Sequence, residues 1–170
     1  VLDALQERGL IYRCFKTRRE ITAAMPAGVD PDEAAFVSKP LAPDEEAERL
    51  ARGHAFAWRL SLRAAETELG ARYASLAFTE ETADGTRSVP ANPAAFGDVV
   101  LARKDTPASY HLACCHDDAL QQITHVIRGE DIREMTSVHV LLQALMDWPT
   151  PVYRFHLLVL GPDGKKLSKR

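Results

Sequence analysis

The feature that most constrains the fold is a β-rich run, followed by an amphipathic helix and then by a second β-rich run. The first run covers residues 123–127 and the last covers residues 152–160. Between them, apolar residues recur at the three- and four-residue steps of one helix face: Ile132, Met135, Val138, Leu141, Leu142 and Leu145. This order predicts a parallel βαβ unit whose ligand crevice lies at the carboxyl ends of the strands.

The amino-terminal part of the chain predicts shorter elements. Residues 1–8 carry the apolar spacing of a helix, and residues 10–14 are typical of a short strand. Asp44 begins a second helix with acidic residues at its amino end, where the helix dipole favours them. Alternating apolar residues at 56–62 predict another strand, with residues 76–78 as a candidate partner.

The pattern changes near residue 96. Residues 98–103 and 109–115 are both predicted to be strands, and they lead into the βαβ pattern. Residues 10–95 are instead interrupted by prolines and predict a mixed α+β segment that is rich in loops. We therefore predict an α/β fold that carries an α+β insertion.

Composition excludes few functions. The net charge of −3 gives no electrostatic argument for a nucleic-acid partner, although an enzyme that grips only the end of an RNA can be acidic overall. No apolar run approaches the roughly 20 residues that cross a bilayer, so we expect no membrane partner. Three cysteines, an odd number, are more typical of the reducing cytoplasm than of a disulfide framework. Both ends fall inside patterned segments, so we expect a piece of a longer protein.

The last six residues concentrate positive charge directly after a strand and a turn. They contain Lys165, Lys166, Lys169 and Arg170. Beside a crevice, such a loop can neutralise the charge that builds on nucleotide phosphates during group transfer. The alternative is a solvated basic turn, which is the usual role of such a run. The sequence that precedes the loop favours the first interpretation.

Four segments occur in an order and spacing that point to one family: residues 109–113, 117–118, 123–131 and 164–170. They resemble the second half of the catalytic domain of class I glutamyl-tRNA synthetases, a family that includes a shorter branch acting on queuosine in tRNA(Asp). The resemblance implies the second half of a Rossmann-like catalytic domain. It divides the chain into the end of the first half (1–9), a connective α+β insertion (10–95) and the second half ending in the cationic loop (96–170).

The resemblance also implies roles for individual residues. Tyr110 matches the tyrosine that lines the glutamate pocket, and Arg128 matches the arginine that contacts the bound amino acid. Lys169 matches the loop lysine that binds ATP and stabilises the adenylation transition state, with Lys166 and Ser168 in the same ATP-binding loop. A guanidinium suits a carboxylate because it pairs through two parallel hydrogen bonds. Taken alone, Tyr110 could be a tyrosine at the edge of the core and Arg128 a surface ion-pair residue.

Other polar residues near this segment carry weaker signals. Glu130 and Asp131 either contact the ribose of the nucleotide or cap the helix that follows, and the sequence leaves both readings open. The histidines show no HxH or HExxH spacing. We therefore interpret four of them as structural: His111, His125, His139 and His156.

The shorter branch of the family implies a structural zinc site, which we do not predict here. That branch carries Cys-x-Cys after the first helix, followed by a tyrosine and a third cysteine. This chain retains Cys14, but Lys16 replaces the second cysteine and residues 34–39 contain neither Tyr nor Cys. Three of the four ligands are therefore missing. Cys114 and Cys115 are adjacent in a predicted strand, so their side chains should point to opposite faces and not share a metal.

The resemblance implies ATP-dependent activation of glutamate, with Mg²⁺ accompanying ATP, and transfer of the glutamyl group to a tRNA. Three details favour the queuosine base of tRNA(Asp) as acceptor: Ile132 after Gly-Glu-Asp, Cys114 in place of an Asn, and the helix at 136–145. The alternatives are a synthetase that charges tRNA(Glu) and a non-catalytic tRNA-binding derivative. We expect a monomer. The family's HIGH-type motif is absent from these residues, so this piece alone should not activate glutamate.

Overall fold

The computed structural model describes residues 1–23, 35–103, 105–162 and 166–167. The helices are α1 (Leu2–Glu7), α2 (Arg18–Ala23), α3 (Pro43–Ala51), α4 (Leu62–Leu69), α5 (Ala71–Ala74), α6 (Tyr110–Leu120) and α7 (Thr136–Leu145). The strands are β1 (Ile11–Cys14), β2 (Ala57–Leu60), β3 (Ala77–Thr82), β4 (Gly85–Pro90), β5 (Val100–Arg103), β6 (His125–Gly129) and β7 (Val152–His156). Single 3₁₀ turns cover Pro93–Phe96 and Glu130–Ile132.

The predicted βαβ unit is confirmed. Strands β6 and β7 pair in parallel, with Arg128 opposite Phe155, and α7 connects them. Strand β3 adds to the other side of β7, also in parallel, and forms a hairpin with β4. The resulting sheet has the order β4-β3-β7-β6. Strand β7 ends at His156, earlier than predicted, and Leu160 then forms an isolated antiparallel bridge with Lys166.

A second sheet has the order β1-β2-β5 and is antiparallel throughout. Its end is fixed by Asp98, which is 1% exposed. One carboxylate oxygen of Asp98 accepts hydrogen bonds from the Tyr12 hydroxyl (2.8 Å) and the Ser38 amide (2.9 Å), and the other accepts from the Leu62 amide (2.8 Å). One buried carboxylate therefore connects β1, the start of α4 and the segment before α3.

The core lies around α7. Its buried residues Leu141, Leu142 and Leu145 pack in one apolar cluster with Leu112 of α6 and Tyr153 of β7. The same cluster includes residues of the antiparallel sheet and of the first helix: Leu5, Leu10, Ile11, Leu60 and Leu101. Helix α7 is thus surrounded, which explains why polar residues on it, such as His139 and Gln143, are also buried. Within the described part of the chain, no helix is long and apolar enough to cross a membrane.

The strand predicted at residues 109–115 is wrong, because this segment begins α6. The Ser109 side chain caps the helix by accepting a hydrogen bond from the Leu112 amide (3.4 Å). Leu112 and Cys115, three residues apart, form its buried face. A run of aromatic, apolar and cysteine residues is compatible with either a strand or a helix. Here the Ser109 cap stabilises the helix.

The pairing predicted for residues 76–78 is also wrong. Strand β3 pairs with β4 and β7, not with β2. Both sheets therefore contain strands from either side of residue 96, since β5 completes the antiparallel sheet and β3 joins the parallel pair. The division at residue 96 into insertion and second half stays a prediction.

Candidate active site

Arg128 is the central residue of the candidate site. It lies near the carboxyl end of β6 and is 7% exposed. Its Nη1 donates to Nδ1 of His139 (2.9 Å) and its Nη2 donates to Oγ1 of Thr136. The guanidinium carbon lies 4.9 Å from the ring centroid of Tyr153 and 5.7 Å from that of Phe155. The alternative of a surface ion-pair residue is therefore wrong.

The charge of Arg128 has no carboxylate partner within ion-pair distance among the residues that the structure describes. Its hydrogen-bond acceptors, a threonine hydroxyl and an imidazole, are neutral. Its Nε is buried and has no hydrogen-bond partner within the described chain. A buried charge is costly unless it is paired, so this arrangement favours an anionic ligand.

Tyr110 is the first residue of α6 and is 56% exposed, so it is not a core-edge tyrosine. Its ring centroid lies 5.8 Å from that of His111 and 5.8 Å from that of His139. Tyr110 and Arg128, the two residues predicted to contact glutamate, therefore both contact or flank His139. The structure brings them to one place, and their role toward glutamate stays a prediction.

A cavity of about 1050 Å³ opens beside Tyr110 and His111. It extends between α6 and the antiparallel sheet, and aromatic and charged residues line it: Phe15, Phe36, Phe56, Arg59, Asp98 and Glu134. Its volume is of the size that small-molecule and cofactor sites have. Arg128 lies behind His139 and does not line this cavity.

His111 and His139, which the sequence predicts to be structural, lie beside Arg128. His139 Nε2 lies 3.0 Å from Nδ1 of His111, so that Arg128, His139 and His111 form a continuous chain of contacts. The pKa of His111 is lowered to about 4, mainly by burial and also by the nearby His139 and Arg128. No motif spacing could reveal this cluster, because its members come from β6, α6 and α7.

Cys114 and Cys115 also border this cluster, contrary to the prediction of opposite strand faces. They follow each other on α6, and their sulfur atoms and a His139 ring nitrogen lie within 4.8 Å of one another. The hydrogen bond from Cys115 lowers the pKa of the Cys114 thiol, and His139 and Arg128 act in the same direction. Both ring nitrogens of His139 are already in hydrogen bonds, and the cationic Arg128 is adjacent. We therefore assign no metal to these three residues.

The degenerate zinc region contains cations stacked on aromatic rings. Cys14 is buried on β1, and Nζ of Lys16 lies 5.7 Å from the ring centroid of Phe36. The guanidinium carbon of Arg59, on β2, lies 4.5 Å from the same Phe36 centroid. The absence of zinc stays a prediction.

The ATP-binding loop is described only in part. Lys166 forms an ion pair with Asp131, which lowers the pKa of that carboxyl group. Ser168 and Lys169 lie outside the described residues, as do residues 163–165 and 170. Asp131 thus binds Lys166, and neither it nor Glu130 caps α7, whose N-cap is Met135 without a side-chain hydrogen bond. The Glu130 carboxylate instead accepts from the Leu158 amide at 3.4 Å.

The fold and the site together define part of the catalytic domain of a class I aminoacyl-tRNA synthetase. Residues 1–170 match the family model described as the catalytic domain of class I tRNA synthetases for E and Q, and the chain belongs to this family. A solved glutamate tRNA ligase from Elizabethkingia meningosepticum, in complex with its amino acid, matches with a TM-score of 0.68 at 26% identity. That match covers 98% of this chain and 33% of the ligase, and it confirms the predicted fold class.

Curated relatives agree with this assignment. The glutamyl-Q tRNA(Asp) synthetase of Rhodobacter capsulatus is 40% identical and covers 99% of this chain and 61% of its own length. That of Symbiobacterium thermophilum is 35% identical, over 99% of this chain and 50% of its own length. The glutamate–tRNA ligase of Listeria innocua is 28% identical, over 100% of this chain and 33% of its own length. The chain thus spans between half and about three fifths of the two glutamyl-Q relatives.

Proposed function

We propose that the full-length protein containing this chain uses ATP to activate glutamate and transfers the glutamyl group to the queuosine base of tRNA(Asp). The observation that carries the proposal is the buried guanidinium of Arg128. Its partners are neutral and its Nε is free among the described residues. A carboxylate of the substrate would supply the missing negative charge and accept from this donor.

In the proposed activation step, the α-carboxylate of glutamate attacks the α-phosphorus of ATP. Glutamyl-adenylate forms and pyrophosphate leaves. The protein contributes position and charge stabilisation to such an in-line transfer. We assign the binding of glutamate to Arg128 and Tyr110, and the binding of ATP, which carries Mg²⁺, to Lys166, Ser168 and Lys169. Lys169 is the residue that stabilises the charge developing on the phosphates.

The acceptor is inferred from the relatives. The two relatives at 40% and 35% identity that match 99% of this chain are both named for tRNA(Asp). The glutamate–tRNA ligase at 28% identity and the solved ligase support a second candidate, which charges tRNA(Glu). The first candidate is preferred because its named relatives have the higher identity over the same residues. We also propose that the protein acts as a monomer in the cytoplasm.

The test is glutamate-dependent exchange of pyrophosphate into ATP by the full-length protein, followed by transfer of labelled glutamate. We expect exchange with glutamate, and transfer to tRNA(Asp) that carries queuosine but not to the same tRNA with guanosine at that position. Transfer to tRNA(Glu) instead would establish the second candidate. Well-folded protein that binds tRNA without supporting exchange would reject an activating enzyme and favour a non-catalytic derivative.

A further inference from the structure

His139 joins the buried arginine to a residue that lines the cavity. It lies on α7 and is 2% exposed. One ring nitrogen, Nδ1, is 2.9 Å from Nη1 of Arg128, and the other, Nε2, is 3.0 Å from Nδ1 of His111. Both nitrogens of a buried imidazole are therefore in hydrogen bonds, which strongly limits where its proton can be.

The identity of the partners determines the tautomer of both rings. An arginine only donates hydrogen bonds, so Nδ1 of His139 must accept. A neutral imidazole has one acceptor and one donor, and its proton is therefore on Nε2. This proton is donated to Nδ1 of His111, so that His111 in turn carries its own proton on Nε2. A doubly protonated His139 would direct an N–H group at the Arg128 donor and break the contact.

The second acceptor of the guanidinium is oriented in a similar way. The Thr136 hydroxyl donates to the backbone carbonyl of Arg133 at 2.6 Å, so its oxygen lone pairs are available to Arg128 Nη2. Thr136 is fully buried. Because Nη1 and Nη2 are held by two fixed acceptors and the plane stacks on Tyr153, the guanidinium has one orientation, and its Nε has no partner among the described residues.

We infer that His139 is the positioning residue of the glutamate site: its Nδ1 orients Arg128 for the substrate carboxylate, and its Nε2–H fixes the tautomer of His111 at the cavity. This inference rests on the proposed role of Arg128 as the residue that binds glutamate. Residues that hold a binding group in its productive geometry act on affinity through that group. His139 itself has no contact with the substrate in this scheme.

The groups around His139 come from α6 and from β6. Besides Arg128 and His111, the Cys114 sulfur is 3.7 Å from Nε2, and the Tyr110 ring lies tilted with its centroid 5.8 Å from that of His139. The Cys115 sulfur contacts the backbone carbonyl of His139 and not its ring. The shortest contact of Nε2 is with His111, so the donor is used there and Cys114 stays a secondary neighbour.

Two substitutions separate positioning from packing. His139→Gln places an amide oxygen where Nδ1 accepts and an amide N–H₂ where Nε2 donates, so it keeps the hydrogen-bond pattern without an ionisable ring. His139→Leu fills a similar volume but has neither acceptor nor donor. The matched control is His125→Leu, because His125 is exposed at the opposite end of β6 from Arg128. All variants are made in the full-length protein.

The measurements are the KM for glutamate, the KM for ATP and kcat in pyrophosphate exchange, together with the melting temperature. For His139→Leu we expect the glutamate KM to rise about tenfold, with a smaller change in kcat and an unchanged ATP KM. His139→Gln should restore the glutamate KM to within about threefold of the wild type. Equal loss in both variants, or a loss confined to kcat, would overturn the positioning role. His125→Leu should change none of these values.

A spectroscopic measurement tests the inference without activity. Long-range ¹H–¹⁵N correlation spectra of the histidine rings should show His139 neutral with its proton on Nε2, and the His139→Gln variant assigns that signal. The same spectra should show His111 protonated on Nε2. A proton on Nδ1 of His139 would contradict the inference even if glutamate exchange is normal. If the tautomers are as expected but the wild type shows no exchange, the proposed function fails and the hydrogen-bond chain remains.

Discussion

Arg13 and Arg128 both stack on a pair of aromatic rings, but among the described residues only Arg13 has a carboxylate partner. Arg13 of β1 lies 4.5 Å from the ring centroid of Trp58 and 5.3 Å from that of Phe56, and it forms an ion pair with Glu46. Arg128 stacks on Tyr153 and Phe155, is more deeply buried, and has only neutral partners. Both arginines have an aromatic environment, and they differ in whether a carboxylate of the described chain pairs with the guanidinium.

The comparison shows which arginine has its charge compensated by a carboxylate, since both have a buried Nε without a hydrogen-bond partner among the described residues. Arg13 has its negative partner within the chain, and its side chain is 25% exposed, so water also solvates it. Arg128 is shielded from water, and no described residue supplies an ion pair. Stacking on aromatic rings contributes about 0.5–2 kcal/mol, which does not offset the burial of an unpaired charge. An anion that binds from solution would complete Arg128, whereas Arg13 needs none.

A third arginine serves as an internal reference. Arg133 stacks on the same Phe155 as Arg128, at 5.6 Å, but donates to the buried carboxylate of Glu80. Arg87 contacts that carboxylate as well. Two arginines thus lie near one phenylalanine, one compensated by a carboxylate of the chain and the other not. This pair separates the effect of the aromatic ring from the effect of the charge.

The largest effect is expected for Arg128→Gln in the full-length protein. The glutamate KM in pyrophosphate exchange should rise at least about 100-fold, since losing a buried charge pair with a ligand costs about 3 kcal/mol. The ATP KM should change by less than about threefold. The melting temperature should not fall, because the substitution removes an uncompensated buried charge. The matched control is Arg13→Gln, which should leave the glutamate KM unchanged; equal losses for glutamate and ATP would contradict the proposed role of Arg128.

The next largest effect is expected for Glu80→Gln, which removes the buried carboxylate from Arg133 and leaves it only the exposed Glu134. The free energy of unfolding should fall by about 3 kcal/mol. The hydrogen bond from Arg133 lowers the pKa of the Glu80 carboxyl group, and so does that from Arg87. Its contribution is therefore complete above the ordinary value of 4.5 and is lost as the pH falls through the folded-state pKa.

Urea unfolding of the wild type and the variant as a function of pH measures this contribution. The difference between the two curves should shrink as the pH falls below 4.5. The control is Glu81→Gln. Glu81 is partly exposed, and its ion pair with Arg154 is long, at 3.8 Å. A loss of the same size in both variants would show that burial of the ion pair is not the cause.

A smaller effect is expected from His111, whose pKa is lowered to about 4, mainly by burial and also by His139 and Arg128. The unfolded chain takes up a proton near pH 6.5 and the folded chain only near pH 4. Stability should therefore fall as the pH decreases between these values, by up to about 2 kcal/mol at pH 5. His111→Gln should remove this part of the pH dependence. If the variant keeps the wild-type slope between pH 6.5 and 4, His111 is not the group that titrates.

The smallest effect is expected for Glu46→Gln, which removes the carboxylate from the partly exposed Arg13. Loss of a partly exposed pair should lower the free energy of unfolding by about 1 kcal/mol or less. The glutamate KM should not change. Glu48→Gln is the control, because the Glu48–Arg52 pair is exposed and should contribute at most about 0.5 kcal/mol. A loss from Glu46→Gln as large as that from Glu80→Gln would remove the distinction between the two environments.

The sequence predicted those elements whose pattern is set by one buried face. Helix α7 and strands β6 and β7 follow from apolar spacing. Their periodic apolar residues mark the buried face, whichever element packs against it. The segment that begins α6 was assigned wrongly, because Tyr110 to Cys115 suit either structure locally. Strand β3 was placed in the wrong sheet, since a short strand gives no information on which edge it joins.

Arg128 and Tyr110 could be selected from the sequence through family resemblance, but their surroundings could not. The neutral partners of Arg128 are residues on α7, eight and eleven positions further on. His139 carried no motif and was interpreted as structural. Only the packing of α6 on α7 shows that its two ring nitrogens connect Arg128 with His111.

The sequence alone determined the βαβ unit, the family and the positions of the candidate substrate-binding residues, because periodicity and motif order are local properties of the chain. The tertiary structure decided which arginines are compensated, where Tyr110 lies relative to Arg128, and which atoms the buried histidine connects. These depend on contacts between segments far apart in sequence, whose distances and burial fix the energy of a charge.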